Sequence, residues 1–180
     1  MRYTIKQGKH YASPRCLFCL PTTLVGISKV VTFEQDCFYN PAVLATDAKD
    51  INKLFGFSYG LFNTDSLRVG WRSTGTEIEL IAYLHVDGKR YQETYVDKNG
   101  DTKNKSYMSS IKVKPNKEYF IMIALEEGTT NFTMYVREVD TNREHTVRGL
   151  YPHGGIRTGW EMGIYFGGNK AAPNEMHISY

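Results

Sequence analysis

The sequence has no apolar run approaching the roughly 20 residues that cross a bilayer, which excludes a transmembrane helix. Its opening, Met-Arg-Tyr-Thr-Ile-Lys-Gln-Gly, lacks the apolar core of a signal peptide, so an unprocessed product of the cytoplasm is expected, with no membrane partner. It also lacks a basic run. The net charge of +3 is spread along the chain, and the densest stretch, Lys112–Lys117, separates its three lysines with Val, Pro and Asn. Proteins that grip nucleic acid concentrate positive charge on one stripe, so no nucleic-acid partner is expected.

Cysteine is scarce, with Cys16, Cys19 and Cys37 alone. Cys16-Leu17-Phe18-Cys19 has the spacing of zinc and redox sites, but no second ligand pair and no βαβ context accompanies it. In an extended segment, positions three apart point to opposite faces and cannot chelate together. Buried, reduced thiols are the expectation.

Catalytic signatures are missing too. The five histidines (His10, His85, His145, His153, His177) form no H-x-H or H-E-x-x-H pattern, and no G-x-S-x-G elbow marks a serine nucleophile. Gly154-Gly155 and Gly167-Gly168 precede no helix with Lys-Ser/Thr, so a phosphate cradle is not formed. Asp97–Asp101 misplaces the glycine of a calcium loop and lacks its closing Glu, and reads as a hairpin turn. Glu77 and Glu79 share a strand face, an arrangement open to paired glycosidase carboxylates. A solvated strand face explains them equally simply and is the expectation. No catalytic residue, metal or cofactor is assigned, and a non-enzymatic protein is expected.

What the chain has in quantity is aromatic side chains, thirteen Tyr and nine Phe among 180 residues, which favours half-buried pleated surfaces. Its hydrophobic and charged fractions, 41% and 23%, are those of a globular chain, and the length suits one domain over 1–180. Strand signals recur. Ile27–Glu34 is β-branched and aromatic. In Glu77–Val86, Ile78, Leu80, Ala82 and Leu84 fall on one face and Glu79, Ile81, Tyr83 and His85 on the other. Asp87-Gly88 then supplies the positive φ angles of a tight hairpin. Asn99-Gly100 reads as a second such turn. Ser106–Lys114 and Asn131–Val139 alternate, and the continuous apolar run Glu118–Leu125 predicts a central strand buried on both faces. Met162–Phe166 and Glu175–Tyr180 read as closing strands. One short helix is expected at Asp47–Leu54, ending before Gly56. Short strands about ten residues apart with turns between them predict an all-β, antiparallel sandwich of jelly-roll or concanavalin-like type.

Sandwich lectins stack sugars on exposed aromatics and orient them with polar groups. Trp71, Arg72, Tyr83, His85, Trp160 and Asn169 are the candidates for such a glycan or partner site, although Trp and Tyr serve equally as core residues with a polar handle.

Three stretches are more distinctive. Asp50-Ile51-Asn52-Lys53-Leu54-Phe55-Gly56-Phe57 is followed by Ser66-Leu67-Arg68-Val69-Gly70-Trp71-Arg72 and Ile78-Glu79-Leu80-Ile81-Ala82-Tyr83. Tyr165-Phe166-Gly167-Gly168-Asn169-Lys170-Ala171-Ala172-Pro173 follows near the end. Together they resemble a group of small β-sandwich proteins of gut bacteria and their phages, the crAss-like phages included, mainly over residues 27–92 and 150–180. Where other members carry a His-rich stretch, this chain has Tyr59-Gly60-Leu61-Phe62-Asn63. The resemblance implies a structural virion protein of capsid-decorating or head-fibre type. Its partners would then be other virion proteins, further copies of itself in a homo-oligomer, and surface glycans, and its location the virion. Arg68 and Arg72 share a face with Gly70, placed to pair with Glu79 or a partner's carboxylate, and Gly56, Gly70, Gly167 and Gly168 suit tight turns or close backbone approach.

Overall fold

A computed structural model describes residues 1–15, 22–23, 25–47, 50–59, 64–152 and 158–180. Cys16, Cys19, His153, Gly154 and Gly155 lie outside the described residues.

The chain folds as an antiparallel β-sandwich, as its alternating pattern predicts. One sheet runs, in spatial order, β14 (Glu144–Leu150), β13 (Asn131–Glu138), β12 (Glu118–Leu125), β4 (Gly26–Phe33), β16 (Met176–Ser179), β1 (Arg2–Ile5) and β2 (Ala12–Ser13). The other runs β11 (Met108–Val113), β7 (Ile78–Val86), β6 (Asp65–Ser73), β5 (Asn52–Tyr59), β15 (Thr158–Met162) and β3 (Thr22–Thr23), with β8 (Lys89–Tyr91) folding back on β7. β9 (Thr94–Val96) and β10 (Thr102–Asn104) form a separate two-stranded ribbon. The first and last strands pair in one sheet, Arg2 opposite Ser179 and Ile5 opposite Met176. No helix among the described residues is long and apolar enough to cross a membrane.

The inner faces of both sheets share one core. Leu67, Val69 and Trp71 of β6 and Ile78, Leu80 and Leu84 of β7 meet Val31, Phe33, Ile121 and Ile123 of the facing sheet. The alternation read in β7 holds, and Asp87 (φ 51°) with Gly88 (φ 75°) closes the expected turn, Val86 pairing with Lys89. The 97–101 turn is of a different kind. There only Gly100 takes a positive φ (83°), and the Asp97 carboxylate accepts the amides of Asn99 and Asp101.

Three expectations shift. The short helix lies earlier, as 3₁₀ turns over Pro41–Asp47, and Asn52–Leu54 instead opens β5. Asp47, read as a helix start, ends those turns, because its backbone carbonyl takes the Asp50 amide and its carboxylate the Lys170 amide. Strand β12 is central but buried on one face only. Tyr119, Ile121, Ile123 and Leu125 are buried, whereas Phe120 and Met122 are half-buried on the outer face. There neighbouring strands shelter them, the Phe120 ring lying 6.0 Å from Tyr135 and 5.6 Å from the Arg137 guanidinium. The strand expected at Met162–Phe166 ends at Met162, after which Tyr165 alone bridges Lys53 and Tyr11.

Candidate functional site

On β6, period-two alternation sends Leu67, Val69 and Trp71 into the core and Ser66, Arg68, Gly70 and Arg72 to the opposite face. Arg68 nevertheless is only 3% exposed. Its side chain crosses β5 at Gly56, the residue paired with it. A Cβ at Gly56 would stand 2.4 Å from the Leu67 carbonyl oxygen and 2.5 Å from Arg68 Cα, and the backbone there has φ 149°. Glycine is therefore required mid-strand, in the close backbone approach that is one of the two roles expected for it. Having crossed, the guanidinium donates through Nη2 to the Gly163 carbonyl at 2.6 Å. Its Nε is buried with no partner among the described residues. Burial lowers the Arg68 pKa from its ordinary value to about 10.

Lys53 is the second cation. A register shift in the β5–β6 pairing, between Lys53 and Phe55, inserts one extra residue into β5. Lys53 then exchanges backbone hydrogen bonds with Tyr165, at 2.8 and 2.9 Å. Its Nζ donates to the Ile51 carbonyl at 2.8 Å and lies 4.4 Å from the centre of the Tyr83 ring. Burial first, then the charge of Arg68, lowers its pKa from 10.5 to about 8, with Asp50 acting in the opposite sense.

These two cations lie in the wall of a cleft of about 800 Å³. Tyr3 and Tyr180, with ring centres 4.6 Å apart, line it from the terminal strands. Tyr11 and Tyr165, edge to face at 5.0 Å, line it from the N-terminal segment and the chain after β15. Trp160 adds an indole that is 38% exposed. Glu161 also lines the cleft, and its carboxylate is paired with Lys29 at 2.9 Å. Aromatic faces beside a few fixed polar groups are what pyranose rings require, apolar C–H surface meeting rings while hydroxyls find donors and acceptors.

The six expected site residues separate. Trp71 is fully buried, its ring 5.4 Å from Phe33 and 6.4 Å from Phe166, and presents no surface to a ligand. Arg72 pairs with Glu79, as expected, at 2.5 Å, and Lys112 reaches the same carboxylate at 2.8 Å. Glu77 pairs with Lys114. Tyr83 and His85 do share a face, Oη and Nε2 being 3.0 Å apart. Of that pair His85 lines the cleft, while Tyr83 lies under Lys53. Trp160 is in the cleft, and Asn169 is exposed and outside its lining. Of the two partners expected for Arg68, Glu79 or a partner's carboxylate, Glu79 is taken by Arg72 and Lys112, and Arg68 instead crosses Gly56 toward Gly163. Lys53, Tyr11, Tyr165 and Tyr180 went unmarked in the sequence, since their convergence depends on three distant segments.

Elsewhere, Glu34, Asp36 and His177 bring ligand atoms within 4.8 Å of one another. Those atoms are already engaged, Glu34 by Arg2 at 2.6 and 2.8 Å and Asp36 by His177 Nδ1 at 2.5 Å. Cys37 is buried and free, with its thiol pKa pushed up by burial.

No protein-family model matches the sequence, and no curated protein does. Among solved structures, the chain is similar to the enzymatically active domain of tailspike protein 2 from bacteriophage CBA120, with TM-score 0.40 and 11% identity over 85% of this chain and 21% of that one. It is also similar to the LG1-3 region of the laminin alpha2 chain, with TM-score 0.39 and 14% identity over 97% of this chain and 25% of that one. The chain thus spans about a fifth to a quarter of the length of these proteins, and likeness of this degree assigns it no ligand or activity.

Proposed function

We propose that this chain is a non-enzymatic, lectin-like recognition module whose cleft takes a carbohydrate, and that it serves on the surface of a phage particle. The observation that carries the binding reading is the cleft itself, where Trp160, Tyr11, Tyr165 and Tyr180 stand beside Arg68, His85 and Glu161. The carboxylates that a hydrolase would pair are placed otherwise: Glu161 is engaged by Lys29, and Glu77 and Glu79 are engaged by lysine and arginine. The virion setting rests on the sequence resemblance. A glycan array followed by calorimetry tests the binding reading. Trp160→Ala is expected to weaken binding roughly 5- to 150-fold, the loss of an aromatic platform worth about 1–3 kcal/mol, while leaving unfolding within about 0.5 kcal/mol of the parent. An array with no bound glycan refutes it.

A second reading, assembly with copies of itself, is favoured by the β9–β10 ribbon. All six of its strand residues are exposed, with Tyr95 51% and Val96 68% exposed. A two-stranded ribbon is marginal alone in water, and packing against a second copy would cover those side chains. Light scattering should then give an oligomer that Tyr95→Ser with Val96→Ser dissociates; a monomer at all concentrations refutes it.

A further inference from the structure

We infer that the glycan taken by the cleft is acidic, and that Arg68 and Lys53 form the subsite receiving its carboxylate. The inference rests on the carbohydrate reading of the cleft and names the substrate class.

Several cations of this chain have carboxylate partners even at the surface, as in Arg2–Glu34, Arg72–Glu79, Lys112–Glu79 and Lys117–Asp140. Arg68 and Lys53, which line the cleft together with Arg15, differ from these pairs in being drawn away from water. Arg68 is 3% exposed, yet among the described residues its acceptor is the Gly163 carbonyl, and its Nε has none there. Lys53 has the Ile51 carbonyl and the Tyr83 and Tyr165 rings. Neither has a carboxylate within 4.0 Å among the described residues.

Leaving a buried charge without its counter-ion costs several kcal/mol, and removing such a charge commonly stabilises a protein. Here the chain also devotes backbone features to holding it. Gly56, which no other residue could replace without striking the Leu67 carbonyl, gives Arg68 its path, and the extra residue in β5 sets Lys53 beside it. The acidic residue that does line the cleft, Glu161, is neutralised by Lys29, so the cleft is left with surplus positive charge. A carboxylate on a sugar ring supplies the missing counter-ion, its two oxygens accepting from planar guanidinium and ammonium donors. The ring carrying it would lie against the tyrosines and Trp160.

The test is an array of uronic-acid and sialic-acid oligosaccharides with their neutral counterparts, the strongest binder then titrated by calorimetry beside sodium acetate. Expected are binding of an acidic oligosaccharide, none of its neutral counterpart or of acetate, and weakening of roughly 10- to 100-fold in Arg68→Gln or Lys53→Gln, the loss of a charge-assisted bond. Lys53→Gln leaves the Arg68–Gly163 contact in place and serves where Arg68→Gln does not fold. Equal binding of acidic and neutral sugars, unchanged in Lys53→Gln, overturns the acidic subsite and leaves the carbohydrate reading standing. Acetate binding as tightly as the oligosaccharide, or no binding by any probe, overturns both.

Discussion

Replacing Lys53 with methionine is expected to stabilise the protein near neutral pH. Burial and Arg68 lower the lysine pKa from 10.5 to about 8, so the fold opposes its charged form. Between those two values the unfolded chain holds the proton and the folded chain does not, and stability rises with pH across that window. Below about pH 8 the penalty is present in full. At about 1.4 kcal/mol per pH unit, a drop of this size is worth about 3 kcal/mol. The substitution also leaves the Ile51 carbonyl without its donor and removes the ammonium from the Tyr83 ring, losses of about 1 kcal/mol each at most. A net gain of about 1–2 kcal/mol should therefore appear near pH 6.5 and shrink to zero or reverse near pH 10.5. Urea denaturation of parent and variant across that range reads it directly, since groups common to both cancel in the difference. A variant less stable than the parent near pH 6.5, or a difference independent of pH, refutes the reasoning. A gain in stability joined to loss of binding is what a site held at a cost to the fold should give.

Other substitutions probe the frame. Gly56→Ala should cost about 2–4 kcal/mol in denaturant unfolding, because its Cβ meets backbone at 2.4 and 2.5 Å and φ is 149°. Trp71→Ala should cost about 3–5 kcal/mol, in contrast with the near-neutral Trp160→Ala, because only Trp71 fills the core. Glu79→Gln should cost about 1 kcal/mol near neutral pH. Burial tends to raise the Glu79 pKa, but the bonds from Lys112 and Arg72 outweigh it and the value is lowered. Its contribution is thus present above the ordinary value of 4.5 and lost as pH falls through the lowered one, so parent and variant should converge in acid.

The sequence by itself determined the sandwich. Alternation in β7, the Asp87-Gly88 turn and the short period between strands each reflect interactions among near neighbours, and each is in the fold. It also set Tyr83 and His85 on one face, because period two is a property of the strand alone. The tertiary structure decided the rest. Asp47–Leu54 carries helix-like end signals, but the pairing of Asn52 with Trp71 and Lys53 with Gly70 commits its second half to a strand. The apolar run of β12 could not reveal that only one of its faces meets the other sheet. Trp71 and Trp160 are indistinguishable as letters; one is enclosed by Phe33, Tyr39 and Phe166, and the other lines the cleft and is exposed. Burial is a sum over residues far apart in the chain, which no local pattern records. The same holds for Arg68, whose path away from Glu79 depends on a missing Cβ at Gly56 and a carbonyl at Gly163.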